Sequence, residues 1–264
     1  MGVVDRHRTV RDALAADVAA APGAPTLAAD AVLDLPGWCS GRSGALSPAG
    51  ADALSRLRRD ILSARLAPGA PLPLKLLTAA YQAGPMPLRE ALTLLCGAGL
   101  VVPEGARGFR VAPASRADLV DVAQSRRRLE TMALALSIRR GDALWRRQVG
   151  RTRRALAEVA AQAENGAAVH DDWDERHRRY HFALIAACGS AALLGFCAQL
   201  HDRFDRYRRL APPSKSSMAG VDGDHDTIAD AALAGAVAHA VALLDRHIAE
   251  TGALVLGNYA AHAG

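Results

Sequence analysis

Four histidines in the second half of the chain have a spacing that suits metal binding. His177 and His181 lie four residues apart within a helical pattern, so both imidazoles project from one face and can reach one ion. His225 opens the fifth of six helices predicted for this region, and His247 lies within the sixth. An ion such as Zn²⁺ takes three or four N, O or S ligands, which helices of a bundle can supply from several directions. The alternative is solvated surface histidines, since nine histidines in 264 residues often give one such pair by chance.

The segment that carries these histidines is predicted to be helical. It begins after Pro113, where Ser115 and Asp118 have the spacing of an N-cap pair. Apolar residues then recur at helical spacing, and six antiparallel helices with mostly short connections predict an all-α bundle. The pattern is interrupted at Gly141, Asn165-Gly166, Gly189, a loop from Ala211 to Asp224, and Gly235. The last three helices are expected at about Ala191 to Leu210, His225 to Leu233, and Val237 to Leu256.

A second stretch with functional spacing runs from Pro85 to Cys96. Its apolar positions recur at helical spacing, which predicts a short amphipathic helix with one buried side. These positions are Leu88, Leu92 and Leu95. Two short apolar runs follow, Leu100 to Val102 and Phe109 to Val111, and the Gly-bearing loop between them predicts a β-hairpin. A short helix followed by a hairpin with a basic tip is the layout of a winged helix-turn-helix.

The charge distribution agrees with a nucleic-acid partner for this part of the chain. The whole protein has a formal net charge of +5, and Ala51 to Pro113 contains eight basic against four acidic residues. Most of the excess therefore lies where phosphate attraction would require it. Two further helices are expected ahead of the Pro85 helix, one from Ala51 that stops near Pro68-Gly69 and one from Leu74 to Gln82.

Composition excludes several other classes of protein. No apolar run approaches a membrane span, and the N-terminus lacks a signal-peptide core, so we expect a cytoplasmic protein with no membrane partner. The four cysteines have no metal-finger spacing and are expected to be reduced. Residues 1–49 are rich in Ala, Gly and Pro and are predicted to form a flexible tail.

The segment from about Leu54 to Pro113 resembles the DNA-binding domain of GntR-type transcriptional regulators. The resemblance rests on these landmarks in order: Leu66-Ala-Pro-Gly69, Leu77, Pro87-Leu-Arg-Glu-Ala-Leu92, Gly99-Leu-Val101 and Arg107-Gly-Phe109. It implies that double-stranded operator DNA is contacted by Lys75, Arg89, Arg107 and Gly108. The family usually opens the recognition helix with Ser-Arg, and Gly84 and Pro85 stand there in this chain.

The segment from about Ser115 to Asn258 resembles the FCD domain, the helical effector-binding domain of the FadR branch of GntR regulators. The similar stretches are Arg126-Arg-Arg-Leu-Glu130, Tyr180-His-Phe-Ala-Leu184, Asp224-His225 and Asp245-Arg-His-Ile248. Many members bind a divalent metal through one Asp and three His. His181, His225 and His247 match the three histidine positions, whereas His177 occupies the usual Asp position. Asp174, one turn earlier, is the alternative fourth ligand, and Ser190 stands near the place of a usual Asn.

The same resemblance implies an effector and an ion. Zn²⁺ is the first expectation, with Ni²⁺ or Mn²⁺ as alternatives, because an added imidazole favours softer ions. Arg126 falls at a position where the family has an arginine, and a guanidinium can bind the carboxylate of a small organic acid through two hydrogen bonds. The alternative for Arg126 is an ion pair with an acidic neighbour, or a solvated side chain beside Arg127 and Arg128.

Together these patterns predict a mainly α, ligand-responsive regulator that binds DNA as a homodimer. We expect a tail at residues 1–49, a winged helix-turn-helix domain at residues 50–114 and an all-helical effector, metal-binding and dimerisation domain at residues 115–260. A regulator that senses the metal itself is the alternative. A metal-dependent hydrolase is a further alternative, but Arg178 and Arg179 stand where a zinc peptidase needs His-Glu-x-x-His, so no general base is present and we predict no enzyme.

Overall fold

The computed structural model describes residues 46–105, 108–164, 170–211 and 215–262, so most of the predicted tail at 1–49 lies outside the described residues. The described elements are α1 Pro48–Leu62, α2 Leu74–Tyr81, α3 Pro85–Gly97, β1 Val101–Pro103, β2 Phe109–Val111, α4 Arg116–Arg140, α5 Ala143–Glu164, α6 His170–Ile185, α7 Ala191–Leu210, α8 Lys215–Leu233 and α9 Val237–His262. The prediction of a winged helix-turn-helix followed by an all-helical bundle is confirmed.

The winged domain is built around the leucine face of α3. Leu88, Leu92 and Leu95 are buried against α1 residues Leu57 and Ile61. Strands β1 and β2 pair antiparallel and form the wing. α1 begins three residues before the apolar pattern suggested, because the Ser47 hydroxyl caps its first turn, and a cap leaves no trace in hydrophobic periodicity.

The turn that leads into α3 depends on Gln82 and Arg56. Gln82 adopts a left-handed conformation, with φ at +52°, and ends α2. The Arg56 guanidinium donates to the carbonyl oxygens of Tyr81 at 3.0 Å and Ala80 at 3.3 Å, which otherwise lack helical partners. Pro85 then occupies the first turn of α3, where its missing N–H has no cost. These contacts anchor the end of α2 to α1, and the chain turns directly from there into α3.

The helical domain places α4 between α9 and α7, and pairs α5 with α6. Its core includes Trp145 of α5 and Tyr180 of α6, which are fully buried. The Trp145 indole N–H donates to the Ala183 carbonyl oxygen at 2.9 Å, so this large ring enters the core with its polar atom satisfied. The predicted N-cap is present, since the Ser115 hydroxyl accepts from the Asp118 N–H at the start of α4.

The predicted loop from Ala211 to Asp224 is wrong over most of its length, because α8 already begins at Lys215. His225 therefore lies inside this helix rather than at its start. Gly220 and Gly223 lie within this helix, and each glycine lowers helix stability by only about 1 kcal/mol. A helix anchored by buried residues such as Ile228 tolerates that cost. No helix in the described ranges is long and apolar enough to cross a membrane.

The connection between the domains is held by α7. The buried Arg206 guanidinium donates to the carbonyl oxygens of Ala112 and Pro113, both at 2.9 Å. The Tyr207 hydroxyl accepts from the Ser115 N–H at 3.0 Å and donates to Asp118 at 2.8 Å. The link between the wing and α4 is therefore fixed to the helical domain rather than free.

Candidate metal and effector site

Three helices bring His177, His181, His225 and His247 together in the interior of the helical domain. One ring nitrogen from each lies within 4.8 Å of the corresponding nitrogen of every other member. His177 and His181 come from α6, His225 from α8 and His247 from α9. All four are buried, with at most 4% of any residue exposed. The alternative of solvated surface histidines is therefore wrong.

Contacts between helices hold the imidazoles in place. The Tyr180 hydroxyl donates to the backbone carbonyl of His225 at 2.6 Å, which fixes α8 against α6. The His225 and His247 rings meet edge to face, with centroids 4.6 Å apart. On the other side Trp173 stacks on His177, with centroids 4.5 Å apart and ring planes 15° from parallel.

Glu130 of α4 lies against His181 of the four-histidine group. Its Oε2 lies 3.6 Å from Nδ1 of His181, and its Oε1 accepts from Nε of Arg126 at 2.7 Å. Arg126 is buried and also lies over the Phe204 ring, 4.6 Å from its centroid. Arg126, which was expected to bind an effector carboxylate, thus forms an ion pair with Glu130, as the alternative expectation had it. Its role in effector binding stays a prediction, and its link to the histidines runs through Glu130.

The buried imidazoles are held neutral, as metal ligands must be. Burial lowers the pKa of His177, His181 and His247; neighbouring histidine and arginine charges lower the pKa of His177 and His247 further, whereas Glu130 partly offsets the effect of burial at His181. Burial by itself would raise the pKa of Glu130, but the Arg126 charge and the contact with His181 outweigh it, so the pKa of Glu130 lies far below its usual range. Glu130 is therefore the negative charge that balances Arg126.

His201 of α7 is a fifth buried histidine that the sequence analysis missed. Its ring centroid lies 5.8 Å from that of His181, and its Nδ1 lies 2.9 Å from Oδ2 of Asp205. Its Nε2 makes no hydrogen bond to any residue in the described part of the chain. The signal was present in the sequence, because His201 falls on the same helical face as Cys197 and Phe204.

The two remaining positions suggested by the resemblance are otherwise engaged. Asp174 is ion-paired with Arg208 and Arg209 and is not a member of the four-residue group. Ser190 is the N-cap of α7, where its hydroxyl accepts from the Leu193 N–H at 3.2 Å. Ser190 thus has a local structural role at the start of α7.

The donor set fits a divalent ion of intermediate softness. Imidazole nitrogens suit Zn²⁺, Ni²⁺ and Cu²⁺, whereas Mg²⁺ and Ca²⁺ prefer oxygen ligands, of which this group has none. His247 Nδ1 is buried without a hydrogen bond to any described residue, and a carboxylate oxygen of Asp224 lies 3.7 Å from it. His181 also has a carboxylate, Glu130, behind its other nitrogen, as metal-bound histidines usually do.

The residues predicted to contact DNA lie on the winged domain. Lys75 on α2 and Arg89 on α3 are both exposed. Gly108 lies between the strands with φ at +99°, and a side chain there would meet no neighbour but would force an unfavourable backbone conformation. Arg107 lies outside the described residues. The face near Pro85 is apolar, since Leu76 and Met86 are about two-thirds exposed, at 66% and 65%.

Comparison with known families gives two matches that together span most of the described chain. Residues 51–111 match the family described as bacterial regulatory proteins, gntR family. Residues 121–250 match the FCD domain. The first match covers the winged domain and the second covers most of the helical bundle, including all four clustered histidines.

Individual relatives agree with both matches. An uncharacterised HTH-type transcriptional regulator, BphR, from Paraburkholderia xenovorans is 35% identical over 73% of this chain and 79% of its own length. The HTH-type transcriptional repressor GlaR of Escherichia coli is 34% identical over 73% of this chain and 89% of its own. The solved structure of E. coli McbR/YncC has a TM-score of 0.69 at 17% identity, covers 81% of this chain and 99% of its own, and shares the fold.

Proposed function

Because the chain belongs to the GntR family of bacterial regulatory proteins, we propose that it is a regulator whose response to a small organic acid depends on a divalent metal ion. It is a DNA-binding transcriptional regulator with an FCD effector-binding domain, and not an enzyme. The identity of the effector class and the use of a metal are the proposal.

The observation that carries this proposal is the convergence of four buried histidines on one point. Burying four imidazoles together is unfavourable unless they are neutral and have partners. Their ligand atoms lie within 4.8 Å of one another, so small side-chain shifts would bring them to the separation of at most about 4.2 Å that two nitrogens about 2.1 Å from one ion can have. His181, His225 and His247 are the proposed ligands, and His177 lies beside them at the same point. Zn²⁺ is the expected ion, with Ni²⁺ or Mn²⁺ as alternatives.

An ion bound there would supply a Lewis-acidic anchor for an anionic ligand. Three neutral imidazoles leave its charge uncompensated, and the nearby carboxylate of Glu130 is already paired with Arg126. A carboxylate of the effector is the natural complement. The side chains of Arg126, His201 and Arg208 add further positive or hydrogen-bonding groups around this point.

For DNA binding we propose a homodimer whose paired winged domains contact a two-fold symmetric operator. The exposed positions of Lys75 and Arg89 support contacts with the duplex, and Gly108 supports a close approach of the wing. Arg107 belongs to the same proposal from the family resemblance. A second candidate is a sensor in which the metal itself is the effector, favoured by the absence of a carboxylate from the four-histidine group.

The test is calorimetry with Zn²⁺, Ni²⁺ and Mn²⁺ on protein prepared without a histidine tag. Wild type is expected to bind one ion per chain with micromolar or tighter affinity, and His181→Ala and His247→Ala are expected to lose it. His239→Ala is the matched control, since His239 lies on α9 with His247 but is exposed. The metal site is disproved if wild type binds none of the three ions, or if both cluster variants bind as well as the control.

A second titration separates the two kinds of regulator. An operator is first selected from a random duplex library, and its affinity is measured with the metal-free protein, the Zn²⁺ protein and the Zn²⁺ protein with each of a panel of mono- and dicarboxylic acids. An acid-responsive regulator changes its operator affinity with acid and metal together. A metal sensor responds fully to Zn²⁺ alone.

A further inference from the structure

We propose that His177 is not the fourth metal ligand. Its Nε2–H instead donates a hydrogen bond to the anionic ligand of the site, because the contact of Arg208 with Nδ1 places the hydrogen on Nε2. This inference rests on the proposed metal and effector function and assigns His177 a role different from that of the other three histidines. It follows from the polarity of a buried chain of polar contacts, Arg208–His177–His181–Glu130, in which His177 is hydrogen-bonded on both sides and Glu130 faces His181 at 3.6 Å. The group at each end of this chain can act in only one way, Arg208 as a donor and Glu130 as an acceptor.

The first end of the chain is Arg208. Its Nη1 lies 3.4 Å from Nδ1 of His177. A guanidinium has five N–H groups and no acceptor, so the Nδ1 atom of His177 must accept. A neutral imidazole carries one hydrogen, and it must then be on Nε2. In this tautomer His177 has no lone pair on Nε2 to offer to an ion.

The opposite end of the chain is Glu130. His177 Nε2 and His181 Nε2 lie 3.1 Å apart, so one of the two atoms carries the shared hydrogen. The Nδ1 of His181 faces Glu130 Oε2 at 3.6 Å, and an ionised carboxylate only accepts. His181 therefore carries its hydrogen on Nδ1 and accepts at Nε2. Both ends of the chain of contacts thus make His177 the donor and His181 the acceptor in the hydrogen bond between them. When no hydrogen bond uses it, the Nε2 lone pair of His181 can bind the ion.

The surroundings of His177 resist the other tautomer. Arg208 is buried, is ion-paired with Asp174 and lies 3.3 Å from Asp205, so its guanidinium is fixed. It also lies over the Trp173 ring, 4.9 Å from its centroid, and Trp173 in turn stacks on His177. To bind an ion through Nε2, His177 would have to carry its hydrogen on Nδ1, directly against a cationic donor in a site with little water to screen the repulsion.

This arrangement has a consequence for the ligand. When an ion occupies the lone pair of His181, the Nε2–H of His177 loses its acceptor and needs another one nearby. A carboxylate bound to the ion would provide it. A site with aspartate at this position would spend one metal coordination position on its own carboxylate and repel an anion. The His177 arrangement should favour a carboxylate ligand with one oxygen at the metal and one at His177.

The tautomers are measured directly by long-range ¹H–¹⁵N NMR on metal-free protein labelled at histidine. The expected pattern is a hydrogen on Nε2 of His177 and on Nδ1 of His181, with His177→Gln and His181→Gln used for assignment. In Arg208→Met the Nδ1 of His177 loses its donor, and the Nε2–H preference should weaken. A hydrogen on Nδ1 of His177 in the wild type overturns the proposal.

Ligand binding provides the second measurement. His177→Gln keeps a donor, His177→Leu removes it, and His177→Asp supplies a carboxylate ligand. Zn²⁺ affinity should change less than about tenfold in His177→Gln and His177→Leu, whereas His181→Gln should lose about a hundredfold or more. Acetate binding to the Zn²⁺ protein should fall about tenfold in His177→Leu and in His177→Asp, and be largely kept in His177→Gln.

These outcomes separate two kinds of failure. If His177→Gln and His177→Leu lose Zn²⁺ as severely as His181→Gln, His177 is a ligand and the inference is wrong while the proposed function stands. If wild type binds no metal, the proposed function fails, and acetate binding through the His177 donor fails with it. In Co²⁺-substituted protein, three imidazoles with an exchangeable ligand give an absorption spectrum that shifts when acetate is added, whereas a closed four-histidine site gives one that does not.

Discussion

Arg58 of the winged domain forms a two-point ion pair with Asp202 of the helical domain, with Nε to Oδ2 at 2.7 Å and Nη2 to Oδ1 at 2.5 Å. The same Asp202 Oδ1 accepts from Nη1 of Arg178 at 2.6 Å. Arg178 follows His177 directly on α6, and His201 precedes Asp202 on α7. A single carboxylate on α7 therefore connects the DNA-binding domain to α6, the helix that carries His177 and His181.

Asp202→Asn should uncouple effector binding from DNA binding. The amide keeps the size of the side chain but removes the charge that binds two arginines, and leaving Arg178 buried without its partner should cost roughly 1–3 kcal/mol of folding stability. We expect Zn²⁺ affinity to stay within about threefold of wild type, while the acid-dependent change in operator affinity shrinks. The measurements are calorimetry with Zn²⁺ and operator titrations with and without acid.

Asp230→Asn is the control for this prediction. Asp230 pairs with Arg153 on the surface between α5 and α8, away from the winged domain, and exposed pairs contribute little. This variant should keep the full response to acid. An equal response in Asp202→Asn and Asp230→Asn would show that the Arg58 contact does not transmit the signal.

Arg89→Ala should both weaken operator binding and relax its sequence preference. Arg89 is exposed on α3, the helix that a winged domain places in the major groove, and a contact with a base edge contributes about 1–3 kcal/mol. The measurement is competition between the selected operator and single-base variants. Arg128→Ala removes an exposed arginine from α4 and serves as control. If both variants bind the operator as tightly as wild type, the placement of the recognition helix is wrong.

Lys75→Ala should weaken binding to all duplexes by a similar factor. An exposed lysine near the phosphates contributes through released counterions, so its loss should lower the slope of log affinity against log salt by about one. Titrations at several salt concentrations on the operator and on an unrelated duplex measure this. A change confined to the operator would instead indicate that Lys75 contacts a base.

Gly108→Ala should weaken DNA binding because it distorts the backbone of the wing, not because it removes a side-chain contact. With φ at +99°, Gly108 has a conformation that a residue with a Cβ adopts only under strain, at roughly 1–3 kcal/mol. We expect weaker operator binding with little change in thermal unfolding of the helical domain. Gly257→Ala is the control, since that position lies within α9 with open space around it. Equal operator affinity in the two variants would contradict a role for the wing conformation.

The metal-free protein should lose stability as the pH falls below about 6.5. Burial lowers the pKa of His201 to about 4 and holds the pKa of His177 and His247 well below the ordinary value. An unfolded imidazole titrates near 6.5, so between these values the unfolded chain binds more protons and is favoured, by about 1.4 kcal/mol per pH unit for each histidine. Above pH 7 this effect vanishes.

Urea unfolding of the metal-free protein at pH 8, 7, 6 and 5 measures this dependence. His201→Gln removes one of the titrating groups and should flatten the slope below pH 6.5. Zn²⁺ should shift the loss of stability to lower pH, because bound metal competes with protons for the imidazoles. A free energy of unfolding that stays constant between pH 7 and pH 5 would contradict neutral buried histidines.

The sequence by itself determined the fold class, a winged helix-turn-helix followed by an all-helical bundle, and most of the secondary structure. Periodic leucines in α3, the Gly-bearing turn of the wing and the Ser115 cap are local signals, since each depends on residues a few positions apart. The same is true of the His177 and His181 pair, whose spacing of four places both on one side of α6. The starts of α1 and α8 were exceptions, because the Ser47 cap extends α1 and because α8 continues through two glycines that its buried residues let it tolerate.

Only the tertiary structure decided what those histidines can do. The pairing of Arg208 with Nδ1 of His177, and of Glu130 with Nδ1 of His181, joins residues from three helices that are far apart in sequence. No local pattern records which nitrogen of an imidazole faces a cation and which faces a carboxylate. That assignment depends on packing, and it is the basis on which we propose a donor role for His177 and a ligand role for His181, one helical turn apart.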